Sequence, residues 1–244
     1  MRYAIIGDIH ANLTAFTAVL DDIERQGGVE KVWCLGDVIG YGPDPHECIE
    51  LLRQTNHTCI AGNHDWAAVG KIDTALFNPA AAAANHWAAQ QLTPDDIEYL
   101  RNLPSSIEED DFTLVHGSPR DPIWEYLIST GIARENFAYF KSQICLVGHS
   151  HKPLVFSYDE NDEYSSSQFL PNVKLILGKK RLIINPGAVG QPRDGDPQAS
   201  YTLYDSETRQ VRLHRIPYDI RSTQDRMVKR GLPLRLVSRL SYGR

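Results

Sequence analysis

The chain has 244 residues, 42% hydrophobic and 23% charged, a composition that excludes collagenous, disordered and membrane-embedded classes. Lys and Arg total 25 against 31 Asp and Glu, and the net charge of −6 offers no global basic field for gripping duplex nucleic acid or anionic lipid. In chain order, apolar runs at 3–6, 32–35, 58–61, 112–115 and 144–147 read as buried strands. Between the first three lie helical patterns at 13–26, stopped by Gly27-Gly28, and at 45–54, opened by Pro45. Such alternation predicts right-handed crossovers and a mainly parallel sheet.

An alanine-rich stretch at 76–92 and a Thr93/Asp96 capping box leading a second helix to Leu103 predict a helical insert over about 75–103. Beyond residue 153, runs at 154–158, 173–177, 182–184, 201–204 and 211–216 lack helical spacers, and they predict a second, largely antiparallel sheet. Residues 1–219 are expected to form one domain. Residues 220–244 carry seven Lys or Arg against Asp225 alone, and leucines 232, 234, 236 and 240 predict a basic helical tail docked on the acidic body. The cysteines 34, 48, 59 and 145 form no C-x-x-C pair and read as reduced thiols, mostly small hydrophobes in apolar runs. The first apolar run ends at Ile6, short of a signal-peptide core or a span of ~20 residues. A cytoplasmic location with no membrane partner is therefore expected.

Each of the five early runs leads into residues able to hold a metal. They are Gly7-Asp8-Ile9-His10, Gly36-Asp37, Gly62-Asn63-His64-Asp65, His116-Gly117 and Gly148-His149-Ser150-His151. Ligands of open α/β sheets gather beyond the carboxyl ends of strands, so distant residues can converge there. Asp8, Asp37, Asn63, His10, His116, His149 and His151 offer only nitrogen and oxygen donors, which suit Mn, Fe, Zn, Ni or Mg. Asp8 with His10, and His149 with His151, are two apart, a spacing that puts both side chains on one side of an extended segment. Seven donors exceed one tetrahedral ion, but suffice for two divalent ions sharing a carboxylate, the arrangement that clamps a phosphoryl group in hydrolysis.

These blocks, in this order, resemble the pattern D-x-H, G-D, G-N-H-[DE], H, G-H-x-H of the calcineurin-like metallophosphoesterase superfamily. The resemblance runs from residue 3 to about 217. It implies an α/β (α+β) fold, a four-layer sandwich of two mixed β-sheets flanked by helices. It further implies that Asp8, His10 and His151 hold one ion, that Asn63, His116 and His149 hold the other, and that Asp37 bridges them. A water between the ions would be the nucleophile, as hydroxide. His64 would lie over the phosphate and protonate the leaving oxygen or stabilise charge.

The sequence departs from the phosphoprotein-phosphatase branch, where an Asp-Arg pair follows the second Gly-Asp. Here Gly40 and Tyr41 stand in that stretch. Loss of the bidentate guanidinium disfavours dianionic monoesters and turns the reading to a phosphodiesterase acting on a small or nucleotide-like phosphoester. The loop 185–195, from Asn185-Pro186-Gly187 to Pro192-Arg193, resembles a loop of bacterial members, and Arg193 could return a cation to the phosphate. Asn12 either contacts phosphate or caps the helix after it. Tyr41, Trp66 and Trp124 either line a nucleobase-sized pocket or pack in the core. Two readings compete with the diesterase: a phosphomonoesterase or protein phosphatase, and a non-catalytic scaffold with the same fold, for which the basic tail is the one supporting feature.

Overall fold

A computed structural model describes residues 1–159, 161 and 163–244. The first sheet holds β1 (Arg2–Ile6), β2 (Lys31–Cys34), β3 (His57–Cys59), β9 (Lys174–Ile176), β11 (Ala199–Asp205) and β12 (Gln210–Ile216), in the order β3-β2-β1-β11-β12-β9. The second holds β4 (Ser106–Glu109), β5 (Phe112–Val115), β6 (Ile144–Leu146), β7 (Pro153–Tyr158), β8 (Tyr164–Gln168) and β10 (Arg181–Pro186), in the order β4-β5-β6-β10-β7-β8. Helices are α1 (Leu13–Arg25), α2 (Pro45–Arg53), α3 (Asn63–Ala68), α4 (Pro79–Ala89), α5 (Pro94–Asn102), α6 (Thr130–Asn136), α7 (Ile220–Lys229) and α8 (Leu234–Arg239).

Strand periodicity explains the layering. In β1, Tyr3 and Ile5 face one way and meet Trp33, Phe112, Leu114, Ile144 and Ile184 between the two sheets. Ala4 and Ile6 face the other way and pack with Phe16, Val19, Ile49 and Leu52 of α1 and α2. On the outer face of the second sheet, Val115, Cys145 and Ile183 meet Ala133 of α6 and Phe137, which caps it. Each sheet is thus apolar on both faces, as a helix/sheet/sheet/helix stack requires. Full burial of a side chain such as Phe16 or Phe156 contributes roughly 1.5–3 kcal/mol.

Strands β1, β2 and β3 pair in parallel, as strand-helix alternation predicts. The separate antiparallel second sheet is a different matter. The late strands divide between both sheets: β11 pairs antiparallel with β1, while β10 inserts beside β6 in parallel and pairs antiparallel with β7. Apolar runs encode burial and leave the choice of neighbour open, since strands buried on both faces fit either sheet. Strands β4 and β8 and helices α3 and α6, all short, had no periodic signal of their own. The expected insert contains α4 and α5, and the Thr93/Asp96 capping box is formed.

In the tail, Leu232, Leu236 and Leu240 are buried with Met227 against Tyr41, Ala81 and Ala84. Leu234 instead is exposed, because it opens α8 on the side opposite Leu236, about 200° away around the helix. Arg226 clamps the tail through Asp44 at 2.9 Å and Thr14 at 2.7 Å. All four cysteines are free and buried. Among the described residues no helix is long and apolar enough to cross a membrane.

Candidate metal centre

The ends of β1, β2, β3, β5 and β6 converge, and the donor residues sit in the turns that follow them. The local geometry is not the extended one suggested by the D-x-H spacing. Asp8, His10, Asp37, His149 and His151 have φ of 53°, 50°, 52°, 62° and 57°, left-handed values that cost roughly 1–2 kcal/mol per non-glycine residue. Neighbouring loops hold them there. Asp8 N–H donates to Gly36 O at 3.0 Å, His10 N–H to Asp37 O at 2.9 Å and Ala11 N–H to Val38 O at 2.9 Å. Gly62 meets Asp37 so closely that a Cβ would fall 2.0 Å from Asp37 Oδ1. Only glycine permits that approach.

Two triads result. The donor atoms of Asp8, His10 and His151 lie within 4.8 Å of one another, as do those of Asp37, His116 and His149. In the first, His151 Nε2 is 3.3 Å from Asp8 Oδ1 and 3.1 Å from His10 Nε2. In the second, His116 Nε2 is 3.2 Å from both His149 Nδ1 and Asn63 Oδ1. Asp37 Oδ2 touches both groups, at 3.5 Å from His10 Nε2 and 3.3 Å from His116 Nε2.

The tautomers decide what these contacts mean. His10 Nδ1 meets Ile39 O at 3.1 Å, His116 Nδ1 meets Leu35 O at 2.8 Å, His151 Nδ1 meets Gln191 O at 2.6 Å and His149 Nε2 meets Trp124 O at 3.2 Å. A carbonyl only accepts, so in each neutral ring the proton sits on that nitrogen and the other presents a lone pair. Lone pairs facing each other at 3.1–3.2 Å repel unless a proton or cation lies between them. The donor set therefore fits divalent cations: neutral imidazoles, carboxylates and one amide oxygen, with their outer nitrogens already held.

Electrostatics point the same way. Burial, aided by the Asp37 charge, raises Asp8 and Asp65 to about 7. Burial also opposes ionisation of Asp37, but the His116, His64 and His10 imidazoles outweigh it and hold this carboxyl below its ordinary range. Burial depresses His10, His149 and His151. His116 goes the other way: the Asp37 charge overcomes burial and raises it to about 10. Cations would relieve the crowding of buried carboxyls and take the place of the proton on His116.

Asp65 had no role assigned from the sequence, although it belongs to the Gly-Asn-His-Asp block. It is fully buried and accepts three backbone N–H bonds, from Asp37 at 2.7 Å, Gly62 at 2.9 Å and Ile39 at 3.2 Å. One carboxylate thus ties the Asp37 turn to the Asn63 turn. Asp65→Asn puts an amide NH2 against one of these donors. The expected outcome is a fall in divalent-metal affinity of about 10–100-fold, read by metal titration of the purified variant. An unchanged affinity would remove this role.

His64 shares a donor group with His10 and Asp37 and enters neither of the other two. Its N–H donates to Asp37 Oδ1 at 2.8 Å and its carbonyl accepts from Asn85 Nδ2 at 2.8 Å. Its ring packs 4.5 Å from Tyr41 and 4.6 Å from Phe77, and its buried Nδ1 has no partner. Burial, then the Arg193 and His116 charges, lower it to about 4, so its imidazole is neutral at pH 7. Gly40 makes room: a Cβ there would fall 2.7 Å from His64 Nδ1.

The remaining candidates separate. Arg193 Nη2 donates to Tyr41 Oη and Gln191 Oε1, both at 3.2 Å, and Tyr41 packs on His10 at 4.5 Å. Asn12 caps α1: Oδ1 accepts from Ala15 N–H at 3.2 Å and Thr223 Oγ1 at 3.0 Å, and Nδ2 donates to Gly190 O at 2.9 Å. Its amide is spent on the fold, the capping alternative that the sequence left open. Trp66 lies away from the site, packed on the first core with Nε1 on Leu103 O at 3.3 Å. Trp124 is at the site, its ring 5.5 Å from Phe77. Tyr126, which no motif flagged, stacks on His149 at 3.9 Å.

Comparison with known proteins gives the lineage. The profile of the calcineurin-like phosphoesterase superfamily domain matches residues 1–209. A crystal structure of a metallophosphoesterase from Sphaerobacter thermophilus is 45% identical with a TM-score of 0.91, covering 100% of this chain and 99% of that one. An uncharacterized protein of Methanocaldococcus jannaschii is 39% identical over 247 residues, covering 99% of this chain and 98% of its own length. A symmetrical bis(5'-nucleosyl)-tetraphosphatase of Haemophilus ducreyi is 26% identical over 142 residues, 55% of this chain and 51% of that enzyme. With its strand-end blocks assembled on two mixed sheets, the chain belongs to the calcineurin-like phosphoesterase superfamily and is a metallophosphoesterase, a hydrolase.

Proposed function

We propose that this hydrolase cleaves a phosphodiester or phosphoanhydride bond in a small, nucleotide-like substrate, using two divalent cations, with Mn, Fe, Zn, Ni or Mg all compatible with the donors. The observation that carries the reading is Asp37, one buried carboxylate whose Oδ2 lies between a His10 group and a His116 group of lone-pair donors. In this reading Asp8, His10 and His151 hold one cation, Asn63, His116 and His149 hold the other, and Asp37 serves both. The cations supply Lewis acidity, neutralising phosphoryl charge and acidifying water.

The chain's own side chains do the rest. His64 stabilises charge at the leaving oxygen or gives it a proton, from a ring whose buried Nδ1 has no partner. Arg193, braced on Tyr41, grips a phosphoryl oxygen with its planar fork. Phe77, Trp124 and Tyr126 form an aromatic rim beside His64 and His149, suited to stacking a base. The similarity to a bis(5'-nucleosyl)-tetraphosphatase supports a nucleotide-like substrate.

The test combines elemental analysis with turnover of bis-p-nitrophenyl phosphate. Two equivalents of divalent metal per chain and hydrolysis that disappears on chelation and returns with manganese are expected. No turnover above background with any first-row divalent ion would overturn the proposal.

A further inference from the structure

The family match ends at residue 209, yet the tail that follows returns to the site. Gly243 has φ 59° and lies against the loop after Arg193, where a Cβ on it would fall 2.6 Å from the Asp196 carbonyl carbon. Gly195 N–H donates to Gly243 O at 3.0 Å, and Arg193 N–H donates to His151 O at 3.2 Å. A metal-centre residue, the Arg193 loop and the tail are therefore clipped in series.

A cavity of about 500 Å³ opens at this clip, lined by the cations Lys152, Arg193, Arg215 and Arg244 and the acids Asp194 and Asp196, with an apolar wall that includes Leu154 and Phe169. Arg239 adjoins it, its Nε donating to the main-chain oxygen of Arg244, the last residue. Arg215 is neutralised by Asp194 and Asp196. Among the described residues no Asp or Glu side chain forms an ion pair with Lys152, Arg193, Arg239 or Arg244, although the Asp8 charge acts on Arg193, and the buried Nε of Arg193 has no partner. Burial and then the Arg193 charge lower Arg239 to about 10. Guanidinium groups held together and partly desolvated with fewer acidic partners than cations are costly on their own, and favourable around a multivalent anion.

We propose that this cationic cavity, completed by Arg239 and Arg244 of the tail, is a subsite for a second phosphate of the substrate, so that the enzyme prefers nucleotides carrying a phosphoanhydride chain over those with one phosphate. The inference rests on the metal centre holding the scissile phosphoryl group. Arg193 joins the two places, since it contacts Tyr41 on one side and lines the cavity on the other. The tail thus acts on substrate choice through residues outside the matched family domain.

Titration calorimetry on the metal-loaded full chain, in constant excess magnesium, tests this with two probes, α,β-methylene-ADP and AMP. A charged hydrogen-bonded contact is worth roughly 1.5–3 kcal/mol, so the diphosphate analogue is expected to bind at least about tenfold tighter than AMP. Arg239→Ala and Arg244→Ala should each lower that ratio to about threefold or less, and Arg239→Lys, which keeps charge without the fork, should fall between. Arg221→Ala, whose guanidinium faces solvent and pairs with Asp225 at 3.1 Å, should keep the full ratio. A wild-type ratio below about twofold, or a ratio unmoved in both alanine variants, would overturn the subsite. Because the readout is binding, discrimination without diester turnover would leave the subsite standing and defeat the hydrolytic reading. Turnover without discrimination would do the reverse.

Discussion

Replacement of Asp37 by Asn is expected to lower kcat on bis-p-nitrophenyl phosphate at least about a thousandfold and to strip metal from the protein. The change is nearly isosteric, yet it removes a charge from a position that is 1% exposed. Asp37 Oδ2 faces His10 Nε2 at 3.5 Å and His116 Nε2 at 3.3 Å, while Oδ1 accepts the His64 N–H at 2.8 Å. One carboxylate therefore serves both donor groups and sets the start of α3. An asparagine keeps a single acceptor oxygen, and its NH2 would turn a donor toward one of these contacts. Cation stabilisation of phosphoryl charge is worth several kcal/mol, and about 4 kcal/mol corresponds to roughly a thousandfold in rate. Elemental analysis of the purified variant, alongside kinetics at saturating manganese, checks both halves. Full metal occupancy with more than a tenth of wild-type activity would contradict the shared-ligand role.

Replacement of His64 by Asn should give a different signature: kcat lower by about 10²–10⁴-fold with metal content unchanged. The ring shares a donor group with His10 and Asp37 but enters neither of the two outer triads, its Nδ1 unpartnered and its imidazole neutral at pH 7 because burial lowers it to about 4. If it delivers a proton, the loss must depend on the leaving group. p-Nitrophenolate needs little protonation, whereas an alkoxide needs it strongly, so the variant's defect should be larger on an alkyl diester than on an aryl one. Equal losses on both substrates would limit His64 to stabilising charge, and loss of bound metal would make it a ligand.

How much of this was legible in the sequence follows from the range of each signal. The parallel β1-β2-β3 core was readable because apolar runs alternate with helical spacers, a pattern that specifies crossovers. The strand-end blocks were readable because each pairs metal-binding side chains with a glycine beside an apolar run. By contrast, β10 reads only as a short apolar run, and its insertion between β6 and β7 depends on neighbours far away in the chain. Tyr126, Gln191 and the backbone role of Trp124 escaped for a related reason. Tyr126 acts by stacking, while Gln191 and Trp124 orient His151 and His149 through backbone carbonyls, and a backbone carbonyl leaves no trace in residue type.

Leu234 marks the limit of pattern reading in the tail, since four leucines predicted one buried stripe and the start of α8 turned one outward. Asp65 marks the limit in the site: the sequence assigned it no role, and only its three backbone donors reveal it as the tie between two turns.

By itself the sequence determined the chemistry available: which donors exist, that none is sulfur, and that they follow strands. Tertiary structure alone decided which donors share a neighbour, which nitrogen of each imidazole faces inward, and that the tail arginines end beside Arg193. The physical reason is that donor identity is covalent and local. Lone-pair direction, dielectric and like-charge crowding arise only when segments separated by more than a hundred residues are packed within a few ångströms, as His10 and His151 are at 3.1 Å.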